Sequence, residues 1–162
     1  MRRIVVIIFV LAAVASCVSF ECPVQNKVEY ICALKKPGGG TDTMGVDTLS
    51  VWAHRVGRTD TLLLNRLCGA KTSFGVAASH VLTEDSLFTL LTNTTGKRWL
   101  DTICIQKTDY PHFESVDCKA AYFHQITAVT TTCHGIDSIS INNKEVNYDQ
   151  TETFFLYLKA NR

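Results

Sequence analysis

Beyond its first fifteen residues, the sequence contains no long apolar run that is free of charge. A helix that spans a bilayer needs roughly 20 apolar residues, so we expect no membrane-spanning helix in the rest of the chain. The one apolar run, residues 4–15, is too short for a span and follows the basic start Met1-Arg2-Arg3. This order is typical of a secretory signal peptide, and it predicts that the protein is secreted and extracellular.

The cleavage site decides whether a seventh cysteine stays in the product. Cleavage after Ser19 removes Cys17 and leaves six cysteines, and an even number suits a disulfide framework. We therefore predict a signal peptide over residues 1–19. Two alternatives stay open. Residues 13–15 fit the A-x-A cleavage pattern, and residues 14–17 resemble a bacterial lipobox, in which Cys17 would be lipidated and retained.

The remaining residues, 20–162, have the usual length of one domain with its own core. In an oxidising compartment the cysteines are expected to be paired. We predict that disulfides staple this single domain, with the pairing left open among Cys22, Cys32, Cys68, Cys104, Cys118 and Cys133.

An excess of charge of one sign is absent as well. The chain has 16 basic and 15 acidic residues, and removal of Arg2 and Arg3 leaves fourteen against fifteen. Proteins that bind nucleic acid or anionic lipid carry a basic patch or stripe. The sequence therefore predicts no nucleic-acid partner.

Signatures of catalysis and of metal binding are missing too. No G-x-S-x-G elbow is present, and no phosphate-loop motif follows the glycines at 38–40. No zinc-type H-E-x-x-H or C-x-x-C spacing occurs among the cysteines and the five histidines, which are His54, His80, His112, His124 and His134. We predict no catalytic residue, no metal ligand and no cofactor.

Asn93-Thr94-Thr95 is the single N-x-S/T sequon. It lies in a polar segment where an element is expected to end, which is accessible to the glycosylation machinery. We predict a glycan on Asn93 in a eukaryotic host.

The middle third of the sequence predicts short helices. Asp47 and Asp60 are suitable N-cap residues for helices over 47–57 and 60–68. The strongest helix prediction covers 83–92, because Thr83 is a good N-cap and Leu87, Leu90 and Leu91 repeat at helical spacing.

The two ends of the chain predict strands instead, because they alternate and are rich in β-branched and aromatic residues. The predicted strands are 28–34, 99–106, 122–133, a hairpin at 139–148 and 153–159. Helices followed by strands indicate an α+β domain, with short helices in the middle third and then an antiparallel sheet. Trp52, Trp99 and Phe154-Phe155 are expected to pack in its core.

These features favour a non-enzymatic extracellular domain that binds a protein partner or a small apolar ligand. The alternative is a small secreted hydrolase whose residues converge only in three dimensions. The two differ in what a structure should show: an enzyme needs polar side chains with perturbed pKa in one cleft, and a binder needs an apolar pocket or patch.

Overall fold

A computed structural model describes residues 27–116 and 118–160 of the chain. These residues form ten β-strands and contain no helix. In chain order the strands are β1 Glu29–Lys35, β2 Gly45–Ala53, β3 Thr61–Gly69, β4 Ser73–Ala77, β5 Glu84–Thr92, β6 Arg98–His112, β7 Ala121–Thr131, β8 Ile136–Ile141, β9 Glu145–Val146 and β10 Glu152–Leu158.

The strands form two sheets that enclose one core. The larger sheet has the order β3-β2-β5-β6-β7-β9, and the smaller has the order β4-β1-β10-β8. Inward side chains of both sheets alternate with outward ones, as the pleat of a strand requires. Leu34 and Phe154 of the smaller sheet are fully buried with Leu49, Ile105 and other residues of the larger sheet.

The predicted α+β class is wrong, because the three segments expected to be helical are strands. Residues 83–92 show the reason. Leu87 and Leu91 face the core, while Phe88 and Leu90 lie on the opposite face of the same strand. A strand that is apolar on both faces contains the helical spacing i, i+3, i+4 by coincidence, so periodicity alone cannot separate it from a helix.

Strands were predicted correctly near both ends of the chain, where the structure has β1, β6, β7, β8 and β10. The predicted hairpin at 139–148 is wrong, since β9 pairs with β7 and β8 pairs with β10 in the other sheet. The sheet system is also not wholly antiparallel. β1 and β10, the first and last strands, run parallel to each other.

The disulfide framework also needs correction. Among the described residues Cys32, Cys68, Cys104 and Cys133 carry free thiols. Cys32 lies inside the core, and burial raises the pKa of its thiol to about 12, whereas Cys68 and Cys133 are exposed. These cysteines therefore do not staple the domain to one another.

Cys118 is not one of these four free cysteines. Cys22 and the predicted signal peptide at 1–19 lie outside the described residues. Within residues 27–116 and 118–160, no helical segment has the length and hydrophobicity needed to cross a bilayer.

The chain crosses from the larger to the smaller sheet between β7 and β8, and a buried carboxylate holds this crossing. Asp101 on β6 has a side chain that is only 1% exposed, and it accepts hydrogen bonds from the backbone N–H groups of His134, Gly135 and Ile136. The Thr132 hydroxyl donates a fourth, at 3.0 Å.

The hydrogen bonds at this crossing also favour the ionised form of Asp101. Burial raises the pKa of Asp101, but the backbone hydrogen bonds outweigh that effect and hold the pKa below its usual value. Space at the turn is equally restricted, since a Cβ on Gly135 would lie 2.7 Å from Cβ of Trp99. Asp101 therefore holds the crossing between β7 and β8 in place.

Replacement of this carboxylate tests the crossing. We expect Asp101→Ala to lower the free energy of unfolding by about 2–4 kcal/mol, because it leaves several buried N–H donors without an acceptor. Asp137→Ala, at an exposed position just beyond the same turn, should change it by no more than about 0.5 kcal/mol. Urea denaturation of both variants gives the comparison, and equal stabilities would show that Asp101 does not hold the crossing.

Candidate functional site

One end of the space between the sheets is filled by charged and polar side chains instead of apolar ones. We call this group the buried polar cluster. Its members come from four different strands, and the side chain of each is less than one fifth exposed. They are Tyr30 of β1, Asp85 of β5, Lys107 and Asp109 of β6, and His124 of β7.

Lys107 lies at the centre of the buried polar cluster. Its side chain is completely buried, and its ammonium donates to the carboxylate of Asp109 at 2.6 and 2.8 Å and to the Leu82 carbonyl at 2.7 Å. A further hydrogen bond goes to the Ser79 carbonyl, and Asp85 lies 4.0 Å away. A buried ammonium is tolerated only with such compensation.

His124 is the second key member. It lies directly opposite Asp109 across β6 and β7, and the distance between its Nδ1 and Oδ1 of Asp109 is 2.7 Å. Burial lowers the pKa of His124, although Asp109 acts in the opposite direction. Burial raises the pKa of Asp109, but hydrogen bonds from Lys107 and His124 outweigh it and keep that pKa below its usual value.

A β-bulge places His124 in the interior. Pairing between β6 and β7 shifts between Gln106 and Lys107, which are opposite Ala128 and Ile126, so Thr127 is an extra residue on β7. Side chains alternate along a strand, and one inserted residue exchanges the two faces. Without the bulge His124 would point outward, away from Asp109.

Tyr30 closes the cluster from the smaller sheet. Its hydroxyl donates to Oδ2 of Asp85 at 2.6 Å, and its ring lies 6.3 Å from that of His124. Burial raises the pKa of Tyr30, and the neighbouring carboxylate of Asp85 raises it further. The hydroxyl thus stays protonated and remains a donor.

A groove opens beside the buried polar cluster, and we call it the histidine groove. Its volume is about 300 Å³, and its lining comes from β7 and from the segments next to β1, β4 and β7: Val28, Ala78, His80, Ala120, Ala121, Tyr122 and His124. The rings of His80 and Tyr122 stack with their centroids 4.8 Å apart. The floor is His124, whose side chain is only 2% exposed.

A second groove lies on the outer face of the larger sheet, away from the core. This tryptophan groove has a volume of about 680 Å³ and is lined by Trp52, Thr59, Asp60, Phe88, Leu90, Arg98 and Leu100. Trp52 is directly opposite Phe88, and Leu90 is directly opposite Leu100. The apolar side chains therefore form a continuous patch across β2, β5 and β6.

The sequence predictions relate to these two grooves in different ways. The expectation that Trp52 packs in the core is wrong, because it lies on the outer face, whereas Phe154 is fully buried. Asn93 lies in the turn after β5, where its side-chain oxygen accepts hydrogen bonds from Thr95 and Lys97; its glycosylation stays a prediction.

The histidines were not predicted as a site, yet His80 and His124 line one groove. The others lie elsewhere and have their own partners: His54 with Asp60, His112 with Glu114, and His134 with Leu100 and Asp101. The described residues contain no group of three or more side chains suited to hold a metal ion. No spacing rule in the sequence joins residues 80, 107, 109 and 124, because their proximity arises from strand pairing.

Removal of the buried ammonium tests the charge balance of the cluster. We expect Lys107→Met to lower the free energy of unfolding by about 3–5 kcal/mol, because Asp85 and Asp109 would lose their buried counter-charge. Lys71→Met, at an exposed position, removes the same charge and should cost no more than about 0.5 kcal/mol. Denaturant titrations of both variants measure the difference, and a Lys107→Met protein as stable as the wild type would contradict this account.

Comparison with known proteins gives one match. No curated protein matches the chain, and no solved structure does. A protein family of unknown function, DUF6452, matches residues 48–158, which include both β6 and β7 and more than half of the chain. The chain therefore belongs to the DUF6452 family.

Proposed function

We propose that this protein is a secreted, non-enzymatic binding domain that holds a small apolar ligand in the tryptophan groove. The observation that carries the proposal is the outward-facing apolar patch of Trp52, Phe88, Leu90 and Leu100. Outward positions of a sheet that faces water on one side are ordinarily polar. Contiguous apolar surface on the solvent side is typical of a binding site.

The shape of the patch favours a small ligand over a protein partner. A volume of about 680 Å³ lies within the usual range of small-ligand pockets, which is roughly 300–1,000 Å³. Charged residues, Asp60 and Arg98, border the apolar lining. A stable protein interface buries about 800 Å² on each partner, which is more than one such groove offers.

Secretion is supported by the basic and apolar pattern at residues 1–19. The free thiols of Cys32, Cys68, Cys104 and Cys133 add nothing in its favour. The position of Asn93 in a turn between β5 and β6 is compatible with glycosylation. The extracellular location thus rests on the N-terminal pattern.

Binding of a neutral apolar fluorophore tests the proposal. We expect N-phenylnaphthylamine to bind saturably and to quench the fluorescence of Trp52. Leu100→Glu should weaken this binding at least tenfold, because it puts a carboxylate into the apolar lining. Leu100 is 57% exposed, so the fold should tolerate the change.

Val46→Glu is the matched control, since Val46 is 75% exposed and does not line the groove. It should bind the fluorophore like the wild type. The proposal is wrong if Leu100→Glu binds as tightly as Val46→Glu.

A hydrolase is the second candidate, and one observation favours it. His80 and His124 line the same groove, and the ring of His124 is oriented by Asp109. A histidine held in this way by a carboxylate can act as a general base toward a bound water molecule.

Ester hydrolysis distinguishes this candidate from the binding domain. If the histidine groove is catalytic, purified protein should hydrolyse p-nitrophenyl acetate, and His124→Ala should reduce the rate about 10²-fold or more. His134→Ala, which alters a histidine outside the groove, is the control. A wild-type rate equal to that of His124→Ala would exclude the hydrolase.

A further inference from the structure

We propose that the histidine groove is a second binding site, which takes a small neutral ligand with a hydroxyl group that donates a hydrogen bond to Nε2 of His124. This proposal does not depend on the tryptophan groove, because the two grooves share no lining residue. The chemistry follows from the state of His124 and from what surrounds it.

Asp109 determines which nitrogen of the His124 ring carries the proton. Nδ1 lies 2.7 Å from Oδ1 of Asp109. An ionised carboxylate only accepts hydrogen bonds, and the ammonium of Lys107 keeps Asp109 ionised. The proton of neutral His124 is therefore on Nδ1, and Nε2 is left with a lone pair as an acceptor.

His124 lines the histidine groove, so its ring is within reach of a ligand there. Nε2 of His124 has no hydrogen-bond partner within residues 27–116 and 118–160. In that part of the chain the only fully buried side-chain nitrogen or oxygen atoms without a hydrogen-bond partner are the hydroxyl oxygens of Thr131 and Tyr148. Nε2 is thus not enclosed, and the groove that His124 lines is its route to a ligand. A nearly buried polar atom gains from a ligand that satisfies it.

The charges around His124 favour a neutral ligand over an anionic one. The groups around His124 are the carboxylates of Asp85 and Asp109, the ammonium of Lys107, the neutral hydroxyl of Tyr30 and the ring of His80. Two carboxylates against one ammonium leave one net negative charge behind the floor of the groove. A carboxylate or phosphate ligand would be repelled there, whereas a neutral hydroxyl donor would not.

The size and shape of the histidine groove suit a small flat ligand. A volume of about 300 Å³ is at the lower end of ligand pockets. Val28, Ala78 and Ala121 give an apolar wall, and the ring of Tyr122 can pack against a flat ligand. A small ring with a hydroxyl substituent combines these requirements, and phenol is the simplest probe of this class.

The test compares phenol with anisole, which has the same ring and a similar size but no hydroxyl donor. Titration into the full-length protein is followed by NMR of the histidine rings. We expect phenol to shift the His124 resonances saturably and to bind at least tenfold more tightly than anisole. Benzoate should bind more weakly than phenol at neutral pH.

Two variants and a pH series complete the test. His124→Phe keeps an aromatic ring but removes the acceptor, so it should lose the preference for phenol, whereas His134→Phe should keep it. Burial lowers the pKa of His124 from its ordinary value of 6.5. Phenol affinity should therefore be constant near neutral pH and fall once acidification protonates Nε2.

Three results would overturn the proposal. The first is equal affinity for phenol and anisole, and the second is unchanged selectivity in a folded His124→Phe protein. The third is a result on the wild type alone: a nitrogen-15 NMR spectrum at neutral pH in which the proton of the His124 ring is on Nε2 instead of Nδ1. This last measurement decides the matter even if His124→Phe fails to fold.

Discussion

The buried ammonium of Lys107 is the constraint on which one end of the molecule depends. A charge that is removed from water must be matched by counter-charges and hydrogen bonds, or the interior does not form. Lys107 requires the carboxylates of Asp85 and Asp109 and two loop carbonyls. Those partners come from β5, β6 and the β4–β5 loop. One side chain therefore ties the β4–β5 loop to β5 and β6.

The consequences extend from Lys107 to the histidine groove. The ionised carboxylate of Asp109 orients the ring of His124. Asp85 accepts a hydrogen bond from the hydroxyl of Tyr30, which lies in the opposite sheet. The polar contacts thus join both sheets at the end where the groove opens. Elsewhere in the interior the two sheets share an apolar core, in which Leu34 and Phe154 of the smaller sheet are buried with Leu49 and Ile105 of the larger. The domain accordingly has an apolar core with the buried polar cluster at one end.

How far the sequence predicts this fold depends on what each strand faces. Strands such as β1, with the buried residues Tyr30, Cys32 and Leu34, show their alternation directly and were predicted. β2 and β5 were mistaken for helices because Trp52, Phe88 and Leu90 make their outer faces apolar as well. Of the three segments mistaken for helices, β2 and β5 line the tryptophan groove, whereas β3 does not.

The histidine groove was beyond prediction for a different reason. Lys107, Asp109 and His124 meet because β6 and β7 pair, and His124 faces inward only because Thr127 is an extra residue in the bulge. If inward and outward side chains alternated without interruption from Val129 backwards along β7, Gln125 and Phe123 would point inward instead of His124. A bulge has no firm signature in a single sequence, although it commonly redirects a side chain next to a functional site. Three residues without any motif spacing thus meet through strand pairing and one irregularity in it. The inward position of His124 depends on that irregularity.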